Sequence, residues 1–337
     1  MQRIGVIGAG AWGTALAQTA VRAGRDVVLW AREPAVVQAI TETRLNTDYL
    51  PGIPLDPRLT ASADASAALR ADAILLVIPA QHLRAACAQF AENWPQGVPA
   101  VICAKGIERD TGALMSEVAA QELPPGTPLA VLSGPTFAAE VARGQPTAVT
   151  VACPDPALAD RLVAALGTRT FRPYSSPDVV GVEVGGAVKN VLAIACGIVA
   201  GRGLGDNARA ALITRGLTEI TRLGIAKGGL SETFMGLSGM GDLILTATSM
   251  QSRNFSLGHA LGQGRTLDDI LGGRKAVTEG VFTASAVCAL AKQLDVDMPL
   301  CGAVDALLNH DADLDSVIEG LLTRPFRSEL EHTTPAP

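Results

Sequence analysis

Arg3-Ile4-Gly5-Val6-Ile7-Gly8-Ala9-Gly10-Ala11-Trp12-Gly13-Thr14-Ala15 opens the chain with a short apolar run, a glycine-rich turn and the start of a helix. The run is short enough for one buried strand, and glycines at 8, 10 and 13 follow it directly. Gly8 permits a tight turn, Gly10 lets backbone approach a pyrophosphate, and Gly13 lets the helix pack close on the strand. A helix beginning there offers free N–H groups and a partial positive charge to phosphate. The stretch therefore predicts a dinucleotide-binding turn at Gly8, Gly10 and Gly13.

Outward from this turn, short β-branched runs alternate with alanine-rich helical stretches as far as about Val184. Strands are expected at 3–7, 27–30, 73–78, 100–104, 129–132, 148–151 and 170–172. Runs such as AILLVI lack alternation, which predicts strands buried on both faces, and the intervening helices predict parallel pairing. Beyond Val184 strand signals fade into segments with helical spacing, such as ARAALITRGLTEITRLGIA. The expected fold is α/β, a Rossmann-like doubly wound sheet followed by an all-α C-terminal domain. Residues 1–184 form the dinucleotide domain in this reading, 185–330 a helical substrate domain and 331–337 a flexible tail.

The 337 residues are 48% hydrophobic and 18% charged, with a formal net charge of −6 and no basic cluster. Such a field repels polyanions, which argues against nucleic acid and acidic membranes as partners. Six scattered cysteines show no C-x-x-C spacing, so they read as reduced core thiols and no metal site is expected. The start lacks a secretory pattern, and the apolar run Val191–Gly201 is too short to span a bilayer. A cytoplasmic protein is expected, and an apolar helical half makes a homodimer a reasonable expectation.

Cofactor choice turns on the end of the second strand, which reads Leu29-Trp30-Ala31-Arg32-Glu33. Arg32 suits a 2′-phosphate and Glu33 leaves NAD open, so the cofactor is NADP or NAD with NADPH favoured. Lys105 emerges at the carboxyl end of an apolar strand, where ligands of open α/β sheets lie. Lys189 has Gly185, Gly186, Leu192 and Ala193 as its helical neighbours, and burial on such a face would prepare its ammonium for proton transfer. Asp242 sits in a glycine-rich loop, and Ser252-Arg253-Asn254 has donors suited to an anion.

Taken together, GAGAWGTA, VLWAR, CAKGIE, LSGPTFAAEV, VGGAVKNVLAIACGI, GLSGMGDLILTATSMQSRN and VTEGV resemble the NAD(P)-dependent glycerol-3-phosphate dehydrogenases of the bacterial type, in order from Ile4 to about Phe326. The resemblance implies interconversion of dihydroxyacetone phosphate and sn-glycerol 3-phosphate, feeding glycerophospholipid synthesis. It implies Lys189 as proton donor and acceptor, and Lys105 as a contact to both substrate and cofactor. Gly134, Thr136, Asp242, Ser252, Arg253 and Asn254 fall on substrate positions. Trp12, Arg32, Ala138, Arg253, Val277 and Glu279 fall on cofactor positions. Ala11 departs from the serine common in the family, removing one hydroxyl from a cradle that backbone N–H groups mostly form. The competing readings are a 3-hydroxyacid or ketopantoate reductase, and a dinucleotide sensor without catalysis.

Overall fold

A computed structural model describes residues 1–272, 279–326 and 328–329. The expected tail 331–337 lies outside these residues. Eight strands form one sheet: β1 (Arg3–Ile7), β2 (Asp26–Trp30), β3 (Thr60–Ser62), β4 (Ala73–Leu76), β5 (Ala100–Ile102), β6 (Leu129–Ser133), β7 (Thr147–Ala152) and β8 (Phe171–Ser176), in the order β3-β2-β1-β4-β5-β6-β7-β8. Along β4, Leu75 packs into one apolar layer while Ile74 and Leu76 pack into the other, the signature of a sheet wound on both faces. After β8 the described residues are helical, around a third core. The fold is the α/β sheet with a helical C-terminal half that the pattern predicts.

Two details differ from the expectation. The edge strand β3 carries the sequence Thr-Ala-Ser and has no apolar run to announce it. The pairing of β6 with β7 is antiparallel, whereas all-parallel pairing was expected. The connecting helix Ala138–Arg143 has only six residues, and Thr147 bonds back to the Pro135 carbonyl at 2.7 Å, so the chain stays at the crest and turns down.

This reversal positions the site. β7 and β8 both run away from the crest, so the next helix, Val179–Gly201, starts at the far edge and climbs back along β6. Ten residues of rise, roughly 15 Å, carry it from Val179 to Lys189. Gly186 then lies against Ser133, where a Cβ would come within 2.7 Å of the Ser133 hydroxyl. The helix has 23 residues, longer than the apolar run read from sequence, and by length and composition it would cross a membrane; here 89% of its apolar window is buried in the fold.

Glycines bring a second helix, Arg253–Gly262, backbone to backbone against it. A Cβ at Gly197 would come within 2.7 Å of the His259 nitrogen, one at Gly262 within 2.5 Å of the Ile198 carbonyl oxygen, and one at Gly258 would overlap the Ile194 carbonyl. Gly258→Ala is therefore expected to lower unfolding free energy by about 1–3 kcal/mol. Urea titration of the two proteins measures this, and an unchanged midpoint would contradict the close crossing.

Candidate active site

The glycine turn is built as its sequence suggests. Gly8 has φ +110°, where a side chain is strained, and its Cβ would come within 2.4 Å of nothing but backbone at Val77, so only hydrogen fits. A Cβ at Gly13 would run into the Gly8 carbonyl oxygen, whereas one at Gly10 would meet nothing within 4 Å. The helix Ala11–Arg22 begins with Gly10 as N-cap, with no side-chain cap and no acidic residue in its first turn. Its positive end is left open to the outside, which fits a dinucleotide pyrophosphate. Ala11 and Trp12 open this helix, and the buried Trp12 Nε1 has no hydrogen-bond partner among the described residues.

Arg32 lies just past β2 with its side chain 83% exposed and a 3.0 Å ion pair to Glu33. The two residues that bear on cofactor choice therefore hold each other. Ala138 begins the helix that follows the Gly134 turn, and Glu279 begins the helix Glu279–Gln293. Val277 lies outside the described residues.

At the crest, two ammonium groups share one carboxylate. Lys189 Nζ donates to Asp242 Oδ1 at 2.5 Å and to Thr246 Oγ1 at 3.0 Å, and Lys105 Nζ donates to Asp242 Oδ2 at 2.7 Å and to the Gly134 carbonyl at 2.8 Å. Thr136 Oγ1 donates to the same carbonyl at 3.1 Å. Asp242 is 0% exposed and Lys189 6%. Burial pulls the Lys189 pKa down to about 8; Asp242 opposes that shift and the Lys105 charge adds to it. The expected glycine-rich loop is a π-helical turn, Leu237–Gly241, and Asp242 is the first residue of the helix that follows, Asp242–Ala247.

Ser252 caps the helix Arg253–Gly262, its hydroxyl accepting from Phe255 N at 3.2 Å. Asn254 is buried, donates to Asn190 Oδ1 at 2.9 Å and accepts from Gly280 N at 3.2 Å. Asn190 follows Lys189 directly, so these amides tie the Arg253–Asn254 helix start to the lysine's helix. Burial raises the Glu279 pKa, and the charges of Arg253, Lys105 and Lys189 oppose it, so Glu279 stands within electrostatic reach of all three. The structure thus groups Lys105, Gly134, Thr136, Lys189, Asp242, Arg253, Asn254 and Glu279, with the glycine turn and Arg32 along the crest. Sequence reading missed Thr246 and Asn190. Thr246 lies one helical turn beyond Asp242, the spacing that would have shared its face.

A lysine pair held on one carboxylate beside a dinucleotide turn places the chain in a class, the nicotinamide-dependent oxidoreductases of the Rossmann type. Comparison narrows the class. The family models described as NAD-dependent glycerol-3-phosphate dehydrogenase N-terminus and C-terminus match residues 3–159 and 178–319. The chain belongs to the NAD-dependent glycerol-3-phosphate dehydrogenase family. It is 66% identical over 330 residues to the glycerol-3-phosphate dehydrogenase [NAD(P)+] of Rhodospirillum rubrum, covering 98% of this chain and 94% of that one. The crystal structure of glycerol-3-phosphate dehydrogenase from Coxiella burnetii superposes with a TM-score of 0.92 at 40% identity, over 96% of this chain and 99% of that one. A ketopantoate reductase from Ralstonia eutropha shares the fold alone, at TM-score 0.61 and 18% identity over 94% of this chain and 100% of that one.

Proposed function

We propose that the chain interconverts dihydroxyacetone phosphate and sn-glycerol 3-phosphate with NAD(P)H, supplying glycerophospholipid synthesis in the cytoplasm. The observation that carries this is the Lys105–Asp242–Lys189 bridge, which sets a proton donor of lowered pKa beside a second cation. A nicotinamide held at the glycine turn would supply or accept the hydride at substrate C2. In reduction the Lys189 ammonium gives a proton to the C2 oxygen, and in oxidation the neutral amine takes it back. A pKa of about 8 makes both forms available near neutral pH.

Lys105 stabilises negative charge on the same oxygen, and Asp242 holds both lysines in place. Arg253 and Asn254 anchor the phosphate, with Ser252, Gly134 and Thr136 lining the substrate side, so binding far from the reacting carbon fixes its orientation. Gly8, Gly10, Ala11, Trp12, Gly13, Ala138 and Glu279 would hold the cofactor. Arg32 favours NADPH once it exchanges Glu33 for a 2′-phosphate. Residues 1–184 hold the dinucleotide and 185–330 the substrate, with the junction inside the long helix. The ligands are small molecules, with no nucleic acid or membrane partner, and the apolar helical half is the surface through which a homodimer would form.

A panel of ketones followed by NADPH and NADH absorbance tests the reading. Dihydroxyacetone phosphate is expected to exceed ketopantoate and 3-keto acids in kcat/KM by roughly 100-fold or more, because a site built for a phosphate dianion leaves its donors unpaired on smaller ligands. Preference for a carboxylate substrate, or cofactor binding without turnover, would replace it with one of the competing readings.

A further inference from the structure

We infer that Asn46, in the loop after β2 and its following helix (Pro34–Thr43), is a positioning residue that aims the glycine turn at the dinucleotide phosphates. The inference rests on the reading of that turn as the cofactor site. Asn46 is 1% exposed and uses its whole side-chain amide. Nδ2 donates to the Ala9 carbonyl and to Thr14 Oγ1, both at 2.8 Å, and Oδ1 accepts from Tyr49 N at 3.2 Å. Thr14 Oγ1 also donates to the Ala9 carbonyl, at 3.3 Å. The Ala9 oxygen is thus held inward by two donors from buried residues.

The consequence follows from peptide geometry. The Ala9 carbonyl and the Gly10 N–H belong to one planar trans peptide and point in opposite directions. Fixing the oxygen inward therefore turns the Gly10 N–H outward, over the open N-terminus of Ala11–Arg22. No bond from the Gly10 N–H to another backbone group is found among the described residues, and a Cβ on Gly10 would meet nothing within 4 Å. The outward N–H is aimed into free space of the kind a phosphate oxygen fills. If Asn46 were lost, the peptide could rotate and present the Ala9 oxygen, a negative dipole end, to a phosphate anion. The Asn46 backbone itself closes a short turn, accepting from Leu50 N at 2.9 Å, so the loop has its own support apart from the amide contacts to the glycine turn.

The test uses the full chain, with NADPH and ADP-ribose as probes, in the wild type, Asn46→Ala and the equal-sized Asn46→Asp, which cannot donate two hydrogens. Circular dichroism checks folding, fluorescence titration gives Kd, and steady-state kinetics separates kcat from KM. Both variants are expected to weaken NADPH and ADP-ribose together by about 10- to 100-fold, the range for losing aimed hydrogen bonds to a charged group. At saturating NADPH, kcat and the substrate KM are expected to stay within about threefold of wild type, a split that a purely structural role would not produce. Folded variants that bind both probes as the wild type does would overturn the inference, as would a fall in kcat with Kd unchanged. Failure of both variants to fold would also overturn it, making Asn46 a folding residue. A wild type that binds neither probe would instead remove the cofactor-site reading itself.

Discussion

Lys189→Ala is expected to give a folded protein that binds NADPH about as tightly as the wild type and reduces dihydroxyacetone phosphate roughly 10²- to 10⁴-fold more slowly. The fold survives because Lys105 still pairs with Asp242 at 2.7 Å, so the buried carboxylate keeps a counter-charge. Turnover is expected to fall because the proposed proton donor is gone and the helix positions around 189 are Gly185, Gly186, Leu192 and Ala193, which cannot replace it. The loss should appear in kcat and kcat/KM alike, as for an interaction made in the transition state. Stopped-flow kinetics with a parallel cofactor titration separates the two effects. Near-normal turnover in the folded variant would end the assignment.

Asp242→Ala is expected to damage both stability and activity. Removing the carboxylate takes the hydrogen-bonded counter-charge from two ammonium groups in a buried site, leaving them only the weaker pull of Glu279, and breaking a buried pair in this way costs about 3–5 kcal/mol. The raising influence of Asp242 on Lys189 disappears, leaving only the smaller one of Glu279 against burial and the Lys105 charge, so its pKa falls further below about 8. The share of neutral amine at pH 7 then rises, and reduction loses part of its proton donor. Urea titration and kcat for reduction, measured together, should both fall, with Asp242→Asn losing less stability because the amide fills the space and can still accept one hydrogen bond. A stable, active Asp242→Ala protein would show that the carboxylate neither holds nor tunes the lysines.

The parts of this account that were legible in the sequence are those encoded locally. The Gly8, Gly10 and Gly13 spacing and the apolar strand before it specify a turn within a dozen residues, and the structure builds it there. Lys189 stood out because its helix surroundings lack charge, a property of one turn of helix on either side. Its partnership did not stand out. Asp242 is 53 residues away in sequence, and nothing local to either residue announces that the long helix climbs the sheet to meet it.

That climb depends on the antiparallel β7, whose sequence reads like that of any buried strand. Direction is decided by the short Ala138–Arg143 connection and not by strand composition. Edge strand β3 escaped notice because an exposed rim needs no apolar run. Asn46 escaped notice because a single asparagine in a polar loop looks like a turn former until its two donated hydrogen bonds are seen.

The most direct test of the central claim is the pH dependence of kcat/KM in both directions. With Lys189 titrating at about 8, reduction requires the ammonium and should fall as pH rises through that value, while oxidation requires the neutral amine and should rise to a plateau above it. Mirror-image limbs that cross near pH 8 are the predicted result. Profiles that run parallel in the two directions, or that keep the same limbs in the residual activity of Lys189→Ala, would contradict it.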